Sequence, residues 1–331
     1  MGRTALSALF VFACGILAMP SHAADAVLPL RLEAKTPLGS VSGRIDHMAV
    51  DLARRRLFVA ELGNASVGVV DLGKGAVTHR ISGLKEPQGV GYVRATDMVY
   101  VANAGDGSLR LFQGDGFAPA RLIALGDDAD NIRVDAASNR IYVGYGGGAL
   151  AVIDPTSHKK IGDIALRAHP ESFQLEPDGS RIFVNLPDAR QIAVVDRATL
   201  RVAASIATKD ARANFPLAID RARGNLLVAF RSPAKLMAFS LADLGLRASI
   251  ESCGDADDVF VDAKRDRVYL SCGEGFIDVF APQDRGYERV GHIPTVSGAR
   301  TALFVPELDR LYLAVRASGR EPAAIWVFAP P

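Results

Sequence analysis

Seven positions about 42 residues apart hold side chains that could take part in chemistry. Four of them are carboxylates, and the set is Asp46, Gln88, Asp130, Glu171, Phe215, Asp257 and Thr301. Carboxylates that converge on one axis repel each other, so some of their pKa values rise unless a cation or a basic ligand group neutralises them. The pattern therefore favours a basic ligand or a hard divalent cation such as Ca²⁺.

Neighbouring residues add groups with further chemical roles. His47 or His169 would supply a nitrogen ligand or a general base. Arg300 would neutralise the acids or bind a ligand carboxylate. We assign no catalytic residue, and the predicted ligand-binding set is Asp46, His47, Gln88, Asp130, Asn131, His169, Glu171, Asn214, Asp257, Asp258 and Arg300.

A structural interpretation of the same residues stays open. Short Asp and Asn side chains accept hydrogen bonds from backbone amides at turns and strand starts. Carboxylates in a channel also hold water molecules. The sequence does not decide between these roles and ligand binding.

The elements that must position these residues are short apolar runs. Residues 47–51, 56–60, 66–72 and 77–81 are each of strand length, rich in β-branched residues, and bounded by Gly, Asn, Asp or charges. None has the spacing of an amphipathic helix. We interpret them as four antiparallel strands, A to D in chain order.

This unit occurs seven times at near-constant spacing, which is typical of a seven-bladed β-propeller with four-stranded blades. The A strands are predicted to end at Asp51, Val93, Asp135, Glu176, Asp220, Asp262 and Pro306. The repeats leave no room for a second domain, so residues 24–331 are predicted to form one propeller.

The two ends of the chain indicate how the ring closes. The seventh unit stops at its C strand, 325–329, and a spare strand-like run, 30–38, precedes the first unit. Open sheet edges promote aggregation, and a closed ring leaves only short, protected edges. We therefore predict that the N-terminal strand becomes the outer strand of the last blade.

In such a ring, the A strands begin at one mouth of the central channel, beside the D-to-A and B-to-C loops. The seven positions should therefore meet at that mouth. The B-to-C loops carry a second tier that includes Arg231, Lys235 and Arg316, for which solvated surface charge is the default interpretation.

Residues 1–23 have the features of a cleaved signal peptide. Arg3 gives the positive start, 4–19 the apolar core, and a small-x-small motif ends the segment. The core is short for a membrane span, although an uncleaved anchor and lipidation of Cys14 are alternatives. We expect cleavage near Ala23, a periplasmic or secreted protein, and no membrane span in the mature chain.

The charge balance limits the classes of partner. Thirty-eight Lys and Arg face 37 Asp and Glu, a net charge of +1. A near-neutral chain lacks the electrostatic footprint of a nucleic-acid or anionic-membrane binder. We expect no nucleic-acid partner, a small molecule or protein at the channel face, and a monomer, since a closed propeller has no free assembly edge.

Two cysteines flank neighbouring strands of the sixth unit. Cys253 precedes its A strand and Cys272 follows its B strand, so antiparallel pairing brings them within bridging range. Export to an oxidising compartment favours a disulfide. Two free thiols, or a redox or metal pair, are the alternatives.

The B strands and the turns after them carry a family resemblance. The segments RLFVAELGNAS (56–66) and MVYVANAGDGS (98–108), with C strands that end in Asp, resemble the repeats of YVTN-family seven-bladed propellers, including YncE-like exported proteins. This resemblance implies an exported binding protein. Related propellers of the gluconolactonase and streptogramin-lyase type hold a divalent metal at the channel mouth.

We therefore expect a binding or interaction scaffold with a polar, acidic mouth at the central channel. The alternative is a metal-dependent, lactonase-like hydrolase or lyase that acts on a small polar metabolite at the same mouth.

Overall fold

A computed structural model describes residues 1–2, 29–177, 179–284, 286–319 and 321–331. Nearly all of the predicted signal peptide, Cys14 included, lies outside the described residues. Within the described residues, no helix has the length and apolar character needed to cross a membrane.

The described chain forms seven four-stranded antiparallel sheets, which are the predicted blades. Blades one to three contain β2 (Met48–Asp51), β3 (Arg56–Glu61), β4 (Ser66–Asp71), β5 (Ala76–Ser82); β6 (Pro87–Val93), β7 (Met98–Asn103), β8 (Ser108–Gln113), β9 (Pro119–Ala124); and β10 (Ile132–Asp135), β11 (Arg140–Tyr145), β12 (Ala149–Asp154), β13 (Lys159–Ala165). Blades four and five contain β14 (Phe173–Leu175), β15 (Arg181–Leu186), β16 (Gln191–Asp196), β17 (Arg201–Ala207); and β18 (Arg212–Asp220), β19 (Asn225–Ser232), β20 (Ala234–Ser240), β21 (Leu246–Glu251). Blades six and seven contain β22 (Ala256–Asp262), β23 (Arg267–Cys272), β24 (Phe276–Gln283), β25 (Gly286–Pro294); and β26 (Ala302–Val305), β27 (Arg310–Val315), β28 (Ala324–Ala329) with β1 (Arg31–Pro37). Short 3₁₀ helices at Leu62–Asn64 and Pro306–Leu308 lie in two of the turns.

The second strand of each blade is buried on both faces because neighbouring blades pack against it. Val99, Tyr100 and Val101 of β7 are consecutive and fully buried. Burying an apolar side chain of this size contributes about 1.5–3 kcal/mol. This two-sided burial explains why the B strands are continuous apolar runs and do not alternate with polar residues.

The turn between the first two strands repeats the same backbone conformation. In six of the described blades the residue before the second strand has a positive φ, between 50° and 61°. Asp, Asn and Gly tolerate this left-handed conformation better than other residues. They fill five of the six positions, which are Arg55, Asp97, Asn139, Gly224, Asp266 and Asp309.

The ring closes as predicted. The first strands of successive blades contact one another in chain order, and β26 of the last blade contacts β2 of the first. The N-terminal β1 pairs antiparallel with β28, from Arg31 opposite Ala329 to Pro37 opposite Ala324. The predicted ends of the A strands agree with the structure within one residue, since β14 ends at Leu175 and β26 at Val305.

The predicted disulfide is confirmed. Cys253 and Cys272 are bonded, with their Cα atoms 5.9 Å apart and a sequence separation of 19 residues. The buried Asp278 carboxylate accepts a hydrogen bond from Cys253 N at 2.7 Å and so fixes the first cysteine. A closed loop of this length stabilises the folded state by about 3 kcal/mol in the chain-entropy account.

Candidate functional site

A polar cavity of about 250 Å³ lies where the first strands of the blades begin, and we call it the mouth. Six of the seven predicted positions line it, and Thr301 contacts it by donating to Asp257 Oδ2 at 3.2 Å. The lining residues are Arg44, Asp46, His47, Gln88, Asp128, Asp130, Asn131, His169, Glu171, Ser172, Phe215, Asp257 and Arg300.

One repeated backbone hydrogen bond brings these side chains together. The amide of Asp46 donates to Ala60 O at 2.7 Å, and the amide of Asp130 donates to Gly144 O at 2.9 Å. The amide of Glu171 makes the corresponding bond in the fourth blade, at 3.1 Å. Each acceptor lies in the second strand of its blade. The three side chains therefore leave the backbone at equivalent places around the axis.

Asp130 is the least compensated carboxylate of the mouth. It is 6% exposed, and its buried Oδ1 has no hydrogen-bond partner. The facing group is His47 Nε2, at 3.9 Å. Burial raises the pKa of Asp130 well above its usual value, and the charges of Asp46 and Glu171 raise it further.

Burial also shifts the pKa values of three other titratable groups on this side of the mouth. Burial raises the pKa of Asp46, although His47 and Arg44 oppose the shift. Burial also raises the pKa of Glu171. Burial lowers the pKa of His47 although Asp46 Oδ1 lies 3.7 Å from its Nε2, so its neutral form is favoured. In this half of the mouth Asp46 pairs with Arg44, but Asp130 and Glu171 form no ion pair with a described Lys or Arg.

Asp257, on the other side, is neutralised by arginines. Arg231 Nη2 lies 2.5 Å from Asp257 Oδ1, and Arg300 Nε lies 3.4 Å from Asp257 Oδ2. The Arg231 guanidinium also stacks over the Phe215 ring, 3.5 Å from its centroid. Arg300 additionally donates from Nη1 to both Asp255 oxygens, at 2.7 and 2.9 Å. The mouth is therefore polarised into an acidic half and a half of closed ion pairs.

Two predicted residues extend the acidic half. His169 Nδ1 lies 2.7 Å from Gly146 O and 3.5 Å from Asp128 Oδ2. Gln88 Nε2 donates to Asp128 Oδ1 at 3.4 Å. Asn131 also lines the mouth, but its Oδ1 accepts from Arg133 Nη1 at 3.1 Å. The side chains of His169, Gln88 and Asn131 are thus held in place by protein partners.

The structure does not bring two predicted residues to the mouth. Asn214 is fully buried, and its Nδ2 donates to Asn185 Oδ1 at 3.0 Å and to Gln191 O at 3.1 Å, which joins two blades. Asp258 Oδ2 accepts from Ala302 N at 2.8 Å and faces a different cavity. For these two, the structural interpretation describes the contacts better.

Sequence reasoning missed three residues of the mouth: Arg44, Asp128 and Ser172. Arg44 lies two residues before Asp46, and its Nη2 is 2.6 Å from Asp46 Oδ2. A signal for Asp128 was present, because it belongs to the acidic segment that also contains Asp130.

The sequence also led us to expect a divalent cation at the mouth. Among the described residues, no three His, Cys, Asp or Glu side chains come together in a group that could hold a metal ion. The expectation of a divalent cation at the mouth stays a prediction.

Comparison with known proteins identifies the fold and not the family. No protein-family model matches the chain, and no curated protein matches it significantly. The solved structures that are similar to it include the following two. One is described as Kuenenia stuttgartiensis hydrazine synthase, with 16% identity, a TM-score of 0.63, and coverage of 91% of this chain and 99% of that chain. The other is a chain of a mitotic checkpoint complex, with 12% identity, a TM-score of 0.73, and 98% coverage of both chains. At these identities the likeness concerns the fold alone, so membership of the YVTN family stays a prediction and the chain is a seven-bladed β-propeller.

Proposed function

We propose that this protein is an exported binding scaffold whose channel mouth binds a small polar ligand through a cationic amine. The observation that carries the proposal is the buried Asp130 carboxylate, which lines the mouth and whose Oδ1 lacks a hydrogen-bond partner. Buried polar atoms in folded proteins almost always have partners, so such an atom in a cavity indicates a missing ligand group.

A cationic group suits the acidic half on electrostatic grounds. Removing an ion from water costs several kcal/mol unless an opposite charge compensates it. The charges of Asp46 and Glu171 raise the pKa of Asp130, so an ammonium group among the three would relieve this repulsion. In the other half, Arg231 and Arg300 are already paired with Asp257 and Asp255. These arginines could orient a bound ligand, but they offer no unpaired positive charge.

The size of the mouth limits the ligand. A cavity of about 250 Å³ is below the range of sites that take drug-sized molecules, about 300–1,000 Å³. Its polar lining favours a compact metabolite with an amine and hydrogen-bonding groups, such as a diamine or an amino alcohol. A protein partner would contact the mouth through a single inserted side chain, for which lysine has the required chemistry.

The disulfide supports export, since such bonds persist mainly in oxidising compartments. The metal-dependent hydrolase alternative has less support, because the described residues offer no group of three suitable ligands.

The experiment is calorimetric titration of the mature chain with putrescine, agmatine and ethanolamine at about pH 7.5, where carboxylates are ordinarily charged and amines protonated, with succinate as the anionic counterpart. At least one amine should bind, and succinate should not. Asp130→Asn should weaken amine binding at least tenfold, the loss expected when a buried charged hydrogen bond of about 1.5–3 kcal/mol is removed. The matched control is Asp127→Asn, an exposed carboxylate three residues earlier, and should bind as the wild type does.

Two results would overturn the proposal. One is the absence of amine binding at millimolar concentration. The other is equal loss of affinity in Asp127→Asn and Asp130→Asn, which would show that surface charge attracts the amines. Metal analysis of the purified protein tests the hydrolase alternative, which would require a tightly held divalent ion.

A further inference from the structure

A second cavity, of about 410 Å³, adjoins the mouth along the channel, and we call it the chamber. His47 lines both cavities and so lies between them. The walls of the chamber come from the first strands of six blades, which places it on the channel axis. Most of the wall is apolar, including Val50, Val90, Ile132, Val134, Phe260 and Leu303.

Arg133 is the single Lys or Arg in the lining of the chamber as the structure describes it. It lies three residues after Asp130. The corresponding positions in the other blades hold uncharged residues, namely Ala49, Gly91, Gln174, Ala218, Phe260 and Phe304. The fold therefore does not require a cation at this position, and Arg133 is a specific feature of the third blade.

The guanidinium of Arg133 is not matched by an anion. Its Nη1 donates to Asn131 Oδ1 at 3.1 Å and to Ile132 O at 2.9 Å, both on its own segment. Its Nε and Nη2 make no hydrogen bond to a described residue, and no described carboxylate forms an ion pair with it. By contrast, Arg44, Arg231 and Arg300 of the mouth all have carboxylate partners.

Asp258 shares the chamber and its charge acts on Arg133, but the two described side chains form no ion pair. Asp258 Oδ2 is occupied by the amide of Ala302. Burial raises the pKa of Asp258 well above its usual value, and the charge of Asp257 raises it further, although the Ala302 amide and the charge of Arg133 oppose the shift. Arginine stays protonated at neutral pH even when burial lowers its pKa, as it does for Arg133. The chamber thus holds a positive charge inside apolar walls.

We propose that the chamber binds a monocarboxylic acid with an apolar chain. The carboxylate pairs with Nε and Nη2 of Arg133, a fork whose geometry matches two carboxylate oxygens. The hydrocarbon chain packs against the valine, isoleucine and phenylalanine side chains of the inner strands. A phosphate ester is a poorer match, because a dianion requires more donors than one arginine among apolar side chains provides. This site is separate from the amine site proposed for the mouth.

The test is calorimetric titration of the mature chain at the same pH with octanoate, hexanoate, acetate and octan-1-ol. Octanoate should bind more tightly than hexanoate, by about three- to fourfold for each added methylene. Acetate lacks the apolar chain and octan-1-ol lacks the charge, so each should bind at least tenfold more weakly than octanoate.

Variants assign the site. Arg133→Met should weaken octanoate binding at least tenfold and leave octan-1-ol binding unchanged, which also shows that the chamber is intact. Arg133→Lys should retain part of the octanoate affinity. Arg140→Met, in the neighbouring strand of the same blade, is the matched control and should bind octanoate normally. Asp130→Asn should not weaken octanoate binding, because it removes a negative charge that acts on Arg133, and this separates the proposal from the amine site.

Three results would overturn the proposal. They are no octanoate binding at millimolar concentration, equal binding of octanoate and octan-1-ol to the wild type, and octanoate binding that Arg133→Met leaves intact. If Arg133→Met fails to fold, the other two variants decide the question. Loss of octanoate binding in both Arg133→Lys and Arg140→Met would refute a specific role for Arg133.

Discussion

Replacing Asp130 with Asn should stabilise the ligand-free protein. The carboxylate is 6% exposed, its Oδ1 has no hydrogen-bond partner, and Asp46 and Glu171 repel it. A buried, unsatisfied polar group costs about 1–3 kcal/mol, and a charged one costs more. The amide has nearly the same shape and carries no charge. At about pH 7.5 we therefore expect the variant to unfold with a free energy about 1–3 kcal/mol larger than the wild type.

The pH dependence identifies the cause. Because the folded state raises the pKa of Asp130 above its ordinary value of 3.8, it binds more protons than the unfolded state between the two pKa values. The wild type thus gains stability as the pH falls through the raised pKa, by about 1.4 kcal/mol for each unit of elevation. The amide that replaces the carboxyl in the variant cannot titrate. The difference in the free energy of unfolding between the variant and the wild type should be largest above the raised pKa of Asp130. It should be smallest near the ordinary carboxyl pKa of about 4.

Urea unfolding at several values between about pH 4 and 8 measures both effects. Comparing the two proteins isolates Asp130, because Asp46, Glu171, Asp128, His47 and Arg44 are present in both. Asp127→Asn should follow the wild-type curve at every pH. The reasoning is refuted if Asp130→Asn is less stable than the wild type at neutral pH, or if the difference between them does not change with pH.

Two further predictions concern how the ring is held together. Reduction, or Cys253→Ser with Cys272→Ser, should lower the free energy of unfolding by about 3 kcal/mol at neutral pH, as urea titration would measure. An unchanged midpoint would mean that the bond does not restrain the unfolded chain. Deleting residues 29–38, which contain β1, exposes the edge of β28 and should give aggregated or swapped dimeric protein on size-exclusion chromatography. A stable monomer with wild-type melting would contradict the closing role of β1.

The fold was predictable from the sequence because a propeller repeats one pattern many times. A single unit such as 47–81 would be ambiguous, but seven similar units fix the spacing of the strands. The missing last strand and the spare first one then predict closure of β1 on β28. Each of these inferences depends on backbone periodicity, which the strands of every blade share.

The positions at the mouth were also predictable, but the pairing of their charges was not. Counting from the strand ends identifies Asp130 and Asp257 as equivalent, and the structure places both at the mouth. It also shows that Asp257 is neutralised by Arg231, whose default interpretation was solvated surface charge. The Arg231 side chain reaches from its own blade to the next one, and spacing along the chain carries no information about the direction of a long side chain.

Arg133 is a second residue whose role could not be predicted from the sequence. The sequence-based prediction considered only the starts of the first strands, so it did not include Arg133, three residues further along. Its signal was the contrast with Ala49, Gly91 and Phe260 at equivalent positions. That contrast gains meaning only when the first strands are known to surround a channel.

A repeated backbone can therefore carry a site with no symmetry. The amides of Asp46, Asp130 and Glu171 make the same hydrogen bond, so the fold specifies where the side chains meet and leaves their chemistry free. Changing one residue per blade alters the mouth without altering the core, which lies between the blades. This separation explains how chains with 12% and 16% identity to this one share the propeller over nearly their whole length, while the fold alone assigns none of them a ligand. For this chain our two proposals rest on Asp130 at the mouth and Arg133 in the chamber, whose charges have no ion-pair partner of the Asp, Glu, Lys or Arg type among the described residues.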